Sequence, residues 1–225
     1  MKKYLLAVLA LGAMVMTACE PNSGNNDEPN TPPTPEVVAD YTLSTDVIEA
    51  ILENYGDYYM VGLNDYNLTL GAMELDEATG QGTIKMLFME YLTEPTNKTG
   101  VGTFGPAGIN WETGEGLAPN VYLDAADFDG EIIGSGYVEM DIATETYKAY
   151  EGIKSGDLTV SKDGENYVIK GLLTTLSGKT LKVDYKGALE FEDYSNLGGG
   201  IEPLSTKKSF NFGKHFSSAA KFFKK

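Results

Sequence analysis

Carboxylates make up most of the chemically capable side chains of this chain. Its 225 residues include 33 Asp and Glu, but one His and one Cys. A Ser or Cys nucleophile needs a base to take up its proton, and the single histidine, His215, lies in a lysine-rich segment near the end of the chain. A histidine-based triad and a histidine metal cluster are therefore excluded from the body. Paired carboxylates suffice for glycoside hydrolysis, so a carboxylate-type enzyme stays open beside the simpler interpretation, a solvated acidic surface.

A group of acids beside a turn glycine, Gly130, is the candidate for a metal site. Calcium prefers carboxylate oxygens as ligands. The residues concerned are Asp124, Asp127, Asp129 and Glu131. Their spacing departs from the helix-loop-helix calcium motif, since Ala125 stands where an acid is expected. The preferred interpretation is an acidic loop without metal, and we expect no cofactor.

The only tryptophan lies in a glycine-rich segment suited to ligand binding. Trp111 is part of GINWETGEG, between Asn110 and Glu112. An indole ring can stack on a sugar face while the neighbouring amide and carboxylate bond its hydroxyls. The alternative is that Trp111 plugs one end of the domain, because large aromatic side chains are mostly buried. We expect any binding site in the irregular stretch 93–136, since long loops in compact domains are often functional.

Charge is distributed unevenly along the chain. All 33 acids lie between Glu20 and Glu202 with nine lysines, and six more lysines follow. A body this acidic repels phosphate backbones. Arginine is absent, so no bidentate clamp for phosphate or carboxylate exists. Nucleic acids and nucleotides are therefore not expected as partners.

The segment 205–225 is a lysine- and phenylalanine-rich tail. A helical wheel after Gly213 separates its apolar and cationic residues, a pattern suited to an anionic membrane surface. The candidate contacts are Lys214, Phe216, Lys221, Phe223 and Lys224. The preferred alternative is an arm that docks on the acidic body or frays, because that opposite charge is always close by.

The first nineteen residues have the organisation of an export signal. Lys2 and Lys3 precede an apolar run from Leu5 to Met16, which is too short to span a bilayer, so 1–18 is predicted to be a cleaved signal peptide. The string VMTAC resembles a bacterial lipobox. That resemblance implies that Cys19 becomes the new N-terminus and carries palmitate-like acyl chains, which anchor stably when two or more are present. The alternative is an ordinary secretory signal.

The segment 19–40 is rich in Pro, Asn and acids, and we predict a flexible tether there. A tether of this composition directly after a lipidated cysteine resembles those of surface-exposed lipoproteins of Bacteroidota-type envelopes. The resemblance implies a lipid-anchored protein of the outer membrane that faces outside.

The body, 41–204, is predicted to be one β-rich domain with a short N-terminal helix. Asp46 and Glu49 look like a capping box, and apolar residues recur at helical spacing, so we expect a helix over 46–55. Later segments alternate apolar and polar residues, most clearly over 181–191, which with 157–161 and 167–174 predicts a three-stranded meander. We expect about eight to ten antiparallel strands in a β-sandwich or an open barrel.

The body also resembles a group of small acidic β-rich lipoproteins of gut Bacteroidota. The resemblance rests on YGDYYMVGLNDYNLTL and on GDLTVSKDGENYVIKGLLTTLSGKTLKVDYKGALEFEDYS. It implies an architecture and a location but no catalytic residue, because the group has no established activity. We expect a lipid-anchored, non-enzymatic surface protein that binds a glycan or a protein, with the membrane, a polysaccharide or an envelope protein as partners. The alternatives are a fimbria-like structural or assembly subunit and a carboxylate-type glycan-active enzyme.

Overall fold

A computed structural model describes residues 38–44 and 46–196, which belong to one compact unit beginning at Val38. These residues form thirteen strands and no helix, so none of them lies in a helix able to cross a membrane. The strands are β1 (Tyr41–Leu43), β2 (Val47–Gly56), β3 (Asn64–Asp76), β4 (Gln81–Thr93), β5 (Gly102–Pro106), β6 (Val121–Tyr122), β7 (Ala126–Phe128), β8 (Glu131–Ile133), β9 (Gly136–Asp141), β10 (Tyr147–Asp163), β11 (Asn166–Thr175), β12 (Thr180–Gly187) and β13 (Glu190–Asp193). The predicted mainly β fold is confirmed, with more strands than expected because several are only two to four residues long.

The helix predicted over 46–55 is wrong, because this segment is strand β2. It pairs antiparallel with β3, from Val47 opposite Ala72 to Gly56 opposite Asp65. The Asp46 carboxylate, expected to cap a helix, accepts a hydrogen bond from the backbone N–H of Ser44 at 3.2 Å instead. Both faces of β2 are at least partly covered, and apolar residues on both faces of a strand can imitate helical spacing. Pairing with two neighbouring strands outweighs the local helical pattern.

One eleven-stranded sheet contains every described strand except β7 and β8, which pair with each other. Its order is β1-β12-β11-β10-β5-β6-β4-β3-β2-β13, and β9 lies between β10 and β4. Strand β9 joins the first halves of β10 and β4, whereas β5 and β6 join the later parts of the same two strands. Three strands thus share the space between β4 and β10, with β9 at one end and β5 and β6 at the other.

The two edges of this sheet meet through parallel pairs. Strand β1 pairs with β12 over 41–43 and 181–183, and the chain then continues into β2. Strand β12 continues into β13, which pairs with β2 over 190–193 and 51–54. The segments β1–β2 and β12–β13 therefore run side by side and close the sheet into a small barrel-like arrangement.

The inside of this arrangement is filled by a core to which most of the sheet strands contribute. Four of its fully buried residues are tyrosines, namely Tyr66, Tyr91, Tyr122 and Tyr137. The hydroxyls of the first three donate to backbone carbonyl oxygens, that of Tyr91 to Gly100 at 2.9 Å, so they are satisfied despite burial. Because side chains occupy the interior, the candidate sites lie on the outer face and in the connections.

Candidate functional site

A row of acidic side chains crosses the outer face of four neighbouring strands. Glu192 of β13 lies opposite Glu53 of β2, Glu53 lies opposite Asn67 of β3, and Asn67 lies opposite Glu90 of β4. Paired residues point to the same face of a sheet, and the alternating partners such as Leu52 face the core. We call Glu192, Glu53, Asn67 and Glu90 the acidic row. Like charges directly opposite each other, as Glu192 and Glu53 are, destabilise a sheet.

Asp65 adds a fourth carboxylate on the same face, diagonal to Glu90 in the register of β3 and β4. Asp65 and Glu90 are 2% and 4% exposed, and we call them the buried acid pair. Burial raises the pKa of Glu90 to about 7, although the hydrogen bond from Tyr59 acts in the opposite direction. The pKa of Asp65 is raised well above its ordinary value by burial and then by the charges of Glu90 and Glu53. The pair therefore retains protons at a pH at which exposed carboxylates have lost them.

Two oxygen atoms, one within this pair and one beside it, have no hydrogen-bond partner. They are Oδ1 of Asp65 and Oδ1 of Asn67, and both are buried. Buried polar atoms are normally hydrogen-bonded, and leaving one without a partner costs about 1–3 kcal/mol. Unsatisfied atoms at this one place mark it as the most unusual polar environment in the described part of the chain.

Four tyrosines lie beside the acidic row, and we call them the tyrosine surface. The ring centroid of Tyr55 is 5.4 Å from that of Tyr194 and 6.1 Å from that of Tyr58, which is 5.2 Å from that of Tyr59. All four side chains are half-buried. The rings thus form one continuous aromatic group that is partly open to solvent.

Each glutamate of the acidic row accepts a hydrogen bond from one of these tyrosines. The pairs are Tyr55 with Glu53 at 3.1 Å, Tyr59 with Glu90, and Tyr194 with Glu192. Hydrogen bonds to ionised groups are stronger than those between neutral groups. The carboxylates therefore hold the phenol rings in fixed positions, and the rings shield the carboxylates.

The turn between β2 and β3 carries Tyr58 and Tyr59. The Asp57 carboxylate accepts hydrogen bonds from the backbone N–H groups of Val61, at 2.8 Å, and of Gly62, at 3.0 Å. Met60 has a φ of 55°, which is uncommon for a residue other than glycine. Its side chain is 54% exposed and that of Val61 is 46% exposed. The turn therefore presents two apolar side chains to solvent close to the tyrosine surface.

The residues predicted to bind a ligand around Trp111 lie together in the 107–120 connection, but the indole N–H of Trp111 and the side-chain oxygen of Asn110 are engaged within the protein. The indole N–H donates to the carbonyl of Asp124 at 3.3 Å, and the ring lies against Gly134, where a Cβ would come within 2.9 Å of Cζ2. The Asn110 side-chain oxygen accepts hydrogen bonds from two backbone N–H groups of its own turn, one of them that of Glu112, whose side chain is exposed. These contacts favour the alternative in which Trp111 is a plug.

The predicted calcium ligands are not brought together. Asp124 is buried and accepts hydrogen bonds from the backbone N–H groups of Gly108, at 2.7 Å, and Ile109, at 3.2 Å, and it pairs with Lys154 at 3.0 Å. Its carboxylate thus anchors the 107–109 segment. The other three, which are exposed and lie in the β7–β8 hairpin, are Asp127, Asp129 and Glu131. Among residues 38–44 and 46–196, no group of three or more acidic, His or Cys side chains is arranged to hold a metal ion.

The remaining predicted contacts lie outside the described residues. They are Cys19 and, in the tail, Lys214, Phe216, Lys221, Phe223 and Lys224. The predicted signal peptide and most of the predicted tether lie outside them as well.

Sequence reasoning missed the acidic row and the buried acid pair. One signal was present, because Glu90 is the single acid in the apolar run MLFMEYL, where a charge is costly unless it has a role. The density of tyrosine in YGDYYMVG was a second signal. No sequence signal indicated that Glu192 lies opposite Glu53. This contact exists only because β13 pairs in parallel with β2 where the sheet closes.

In comparisons with models of protein families, with curated proteins and with solved structures, none matches this chain.

Proposed function

We propose that this chain is a lipid-anchored, non-enzymatic protein of the outer membrane, exposed at the cell surface, and that it binds a neutral glycan at the tyrosine surface. The observation that carries this proposal is the continuous group of four half-buried tyrosine rings whose neighbours are carboxylates and exposed apolar side chains. The predicted lipidation of Cys19 supports the location, and the geometry of the outer face supports the ligand class.

The chemistry of the tyrosine surface suits sugars. Aromatic rings offer large apolar faces at little cost in conformational entropy, and the C–H faces of a pyranose pack against such rings. Carboxylate oxygens of Glu53 and Glu192 lie among the rings and are able to accept hydrogen bonds from sugar hydroxyls. Aromatic anchors with a few polar groups are the usual composition of a binding site.

Charge favours a neutral ligand. The acidic row and the acidic body repel anionic polysaccharides. The chain also has no arginine with which to hold sulfate, phosphate or uronate groups. We therefore expect binding to neutral polysaccharides and weak or absent binding to acidic ones.

Binding of neutral and acidic polysaccharides to the full chain, measured by affinity electrophoresis and calorimetry, tests the ligand class. Tyr58→Ala and Tyr194→Ala are each expected to weaken binding at least about tenfold, as loss of an aromatic anchor does. The matched control is Tyr147→Ala, at a half-exposed tyrosine of β10 whose ring also packs on another tyrosine, Tyr150, at 5.6 Å. The proposal would be contradicted if the chain bound none of the neutral polysaccharides, or if Tyr147→Ala weakened binding as much as Tyr58→Ala and Tyr194→Ala do.

A second variant distinguishes this site from the one expected around Trp111. Trp111→Phe leaves the tyrosine surface untouched and is expected to bind with wild-type affinity. Loss of binding in that variant together with normal binding in Tyr58→Ala would move the site to the 107–120 connection.

A second candidate function, a carboxylate-type glycan-active enzyme, is favoured by the buried acid pair. Two neighbouring carboxyls, one with its pKa raised to about 7, are the groups that general acid–base catalysis uses. Their burial beside Tyr59 favours the binding function instead, because substrate does not reach either acid in this conformation. Release of reducing ends from the same polysaccharides, abolished by Glu90→Gln, would establish the enzyme.

A further inference from the structure

The two unpartnered oxygen atoms lie on neighbouring side chains of one strand face. Asp65 and Asn67 are two residues apart on β3 and therefore point the same way, and Asn67 lies opposite Glu90. Both atoms, Oδ1 of Asp65 and Oδ1 of Asn67, can only accept hydrogen bonds when Asp65 is ionised. When Asp65 is protonated, its O–H can donate a hydrogen bond to Oδ1 of Asn67, and both atoms then have a partner.

We propose that Asp65 and Glu90 together hold one proton at neutral pH, that Asp65 carries it and donates it to Oδ1 of Asn67, and that this proton keeps the turn of Tyr58 and Tyr59 closed over the acidic row. The position of the proton stands independently of any ligand. The consequence for the tyrosine surface rests on the proposed function.

The charged groups around the pair support this position. Strand β2 contributes Glu53 and Tyr55, the turn contributes Asp57 and Tyr59, and β13 with the residue after it contributes Glu192 and Tyr194. Asp193 lies opposite Asn54 and accepts a hydrogen bond from its side chain at 3.2 Å. The charge of Lys98 acts on Asp193 and lowers its pKa. The influences on Asp65 are burial and the charges of Glu90 and Glu53, and all of them favour its protonated form.

A proton satisfies this site better than a metal ion does. A hard cation such as calcium takes six to eight oxygen ligands. Asp65, Asn67 and Glu90 supply two carboxylates and one amide oxygen, and the described residues contain no group of three acids suited to a metal. A proton needs one donor and one acceptor, and Asp65 and Asn67 offer these from side chains two residues apart on the same face of β3.

The proton is coupled to the turn through Glu90. Above about pH 7, with the proton on Asp65, Glu90 is ionised and accepts the hydrogen bond of the Tyr59 hydroxyl. Removing the proton leaves two negative carboxylates buried on neighbouring strands. Opening the turn of residues 57–63 admits water to both, so rising pH favours the open turn and displaces Tyr58 and Tyr59 from the tyrosine surface.

Carbon-13 NMR of Asp and Glu carboxyls, titrated in the full chain, tests the proton directly. We expect two carboxyls to titrate above the ordinary range, that of Glu90 at about 7 and that of Asp65 well above its ordinary value, whereas exposed carboxyls titrate at about 4. Hydrogen exchange of the Val61 and Gly62 N–H groups reports the turn and is expected to lose protection as the pH rises, beyond the intrinsic acceleration. If every carboxyl titrates near its ordinary value, the proposal is overturned without recourse to any variant.

Asp65→Asn supplies the matched test, since its amide can donate to Asn67 without carrying charge. This variant is expected to keep the turn protected at high pH, whereas Glu77→Gln, at an exposed acid between β3 and β4, is expected to behave like wild type. Calcium or a chelator that changes protection in wild type but not in Asp65→Asn would show a cation in place of the proton. If the wild-type chain binds no neutral polysaccharide at any pH but its carboxyls titrate as expected, the proposed function is refuted. The proposal for the proton on Asp65 then still holds.

Discussion

Glu53 and Glu192 lie directly opposite each other on the parallel strands β2 and β13, and each accepts a hydrogen bond from a tyrosine, Tyr55 and Tyr194 respectively. The two rings stand 5.4 Å apart, so an aromatic pair accompanies a pair of like charges. Burial and then the charge of Glu192 raise the pKa of Glu53. This contact lies where the sheet closes. Two like-charged carboxylates therefore repel each other at a position where an apolar pair would be more stable.

Glu192→Gln is therefore expected to stabilise the protein. The amide removes the like-charge repulsion and its oxygen still accepts the hydrogen bond of Tyr194. We expect the free energy of unfolding in urea at pH 7 to rise by about 0.2–1 kcal/mol, the range for cross-strand pairs. Glu77→Gln, away from the row, is the control. A destabilised Glu192→Gln variant would show that the carboxylate strengthens the closure.

The stability of the protein is expected to fall as the pH rises through neutrality. The pKa of Glu90 in the folded state, about 7, lies above its ordinary value of 4.5, and that of Asp65 is also raised. The folded state therefore binds more protons than the unfolded state in this window, and the stabilisation present below about pH 4.5 is lost as the pH passes 7.

Urea unfolding between pH 5 and 8.5 measures this slope. Glu90→Gln is expected to flatten it. The carboxyls with lowered pKa, such as Asp141 at about 2, act below pH 4 and do not contribute here. Stability that rises over this range in wild type, or an unchanged slope in Glu90→Gln, would contradict the assignment.

Asp124 is expected to be a structural anchor with no role in calcium binding. Asp124→Ala leaves the N–H groups of Gly108 and Ile109 without their acceptor and Lys154 without its partner. We expect a loss of about 1–3 kcal/mol in the free energy of unfolding. Because Trp111 bonds the carbonyl of Asp124, its fluorescence is expected to shift to longer wavelength in the variant. Calcium that stabilises the wild type but not the variant would restore the metal interpretation.

The part of the fold that follows from local alternation could be predicted from the sequence. The meander predicted over 157–161, 167–174 and 181–191 corresponds to β10, β11 and β12 with β13. The last segment is two strands, because the chain leaves β11 and joins β2 after Gly187. The helix prediction over 46–55 failed for a related reason, since β2 is held by two distant partners that no local pattern reveals.

The candidate site could not be predicted because it is a product of register. Glu90 is conspicuous in its own segment, but its neighbours Asp65 and Asn67 become neighbours only when β3 and β4 pair in one particular alignment. A shift of one residue would turn these side chains toward the core. Predictions built on sequence neighbours, such as Asn110 with Trp111 and Glu112, describe a turn and its contacts instead.

The most direct test of the proposed function is NMR of the tyrosine rings during titration with a neutral polysaccharide that the full chain binds. We predict that the ring resonances of Tyr55, Tyr58 and Tyr194 shift together and saturate at the affinity measured by calorimetry. Shifts confined to the Trp111 indole, with the three tyrosines unchanged, would contradict it.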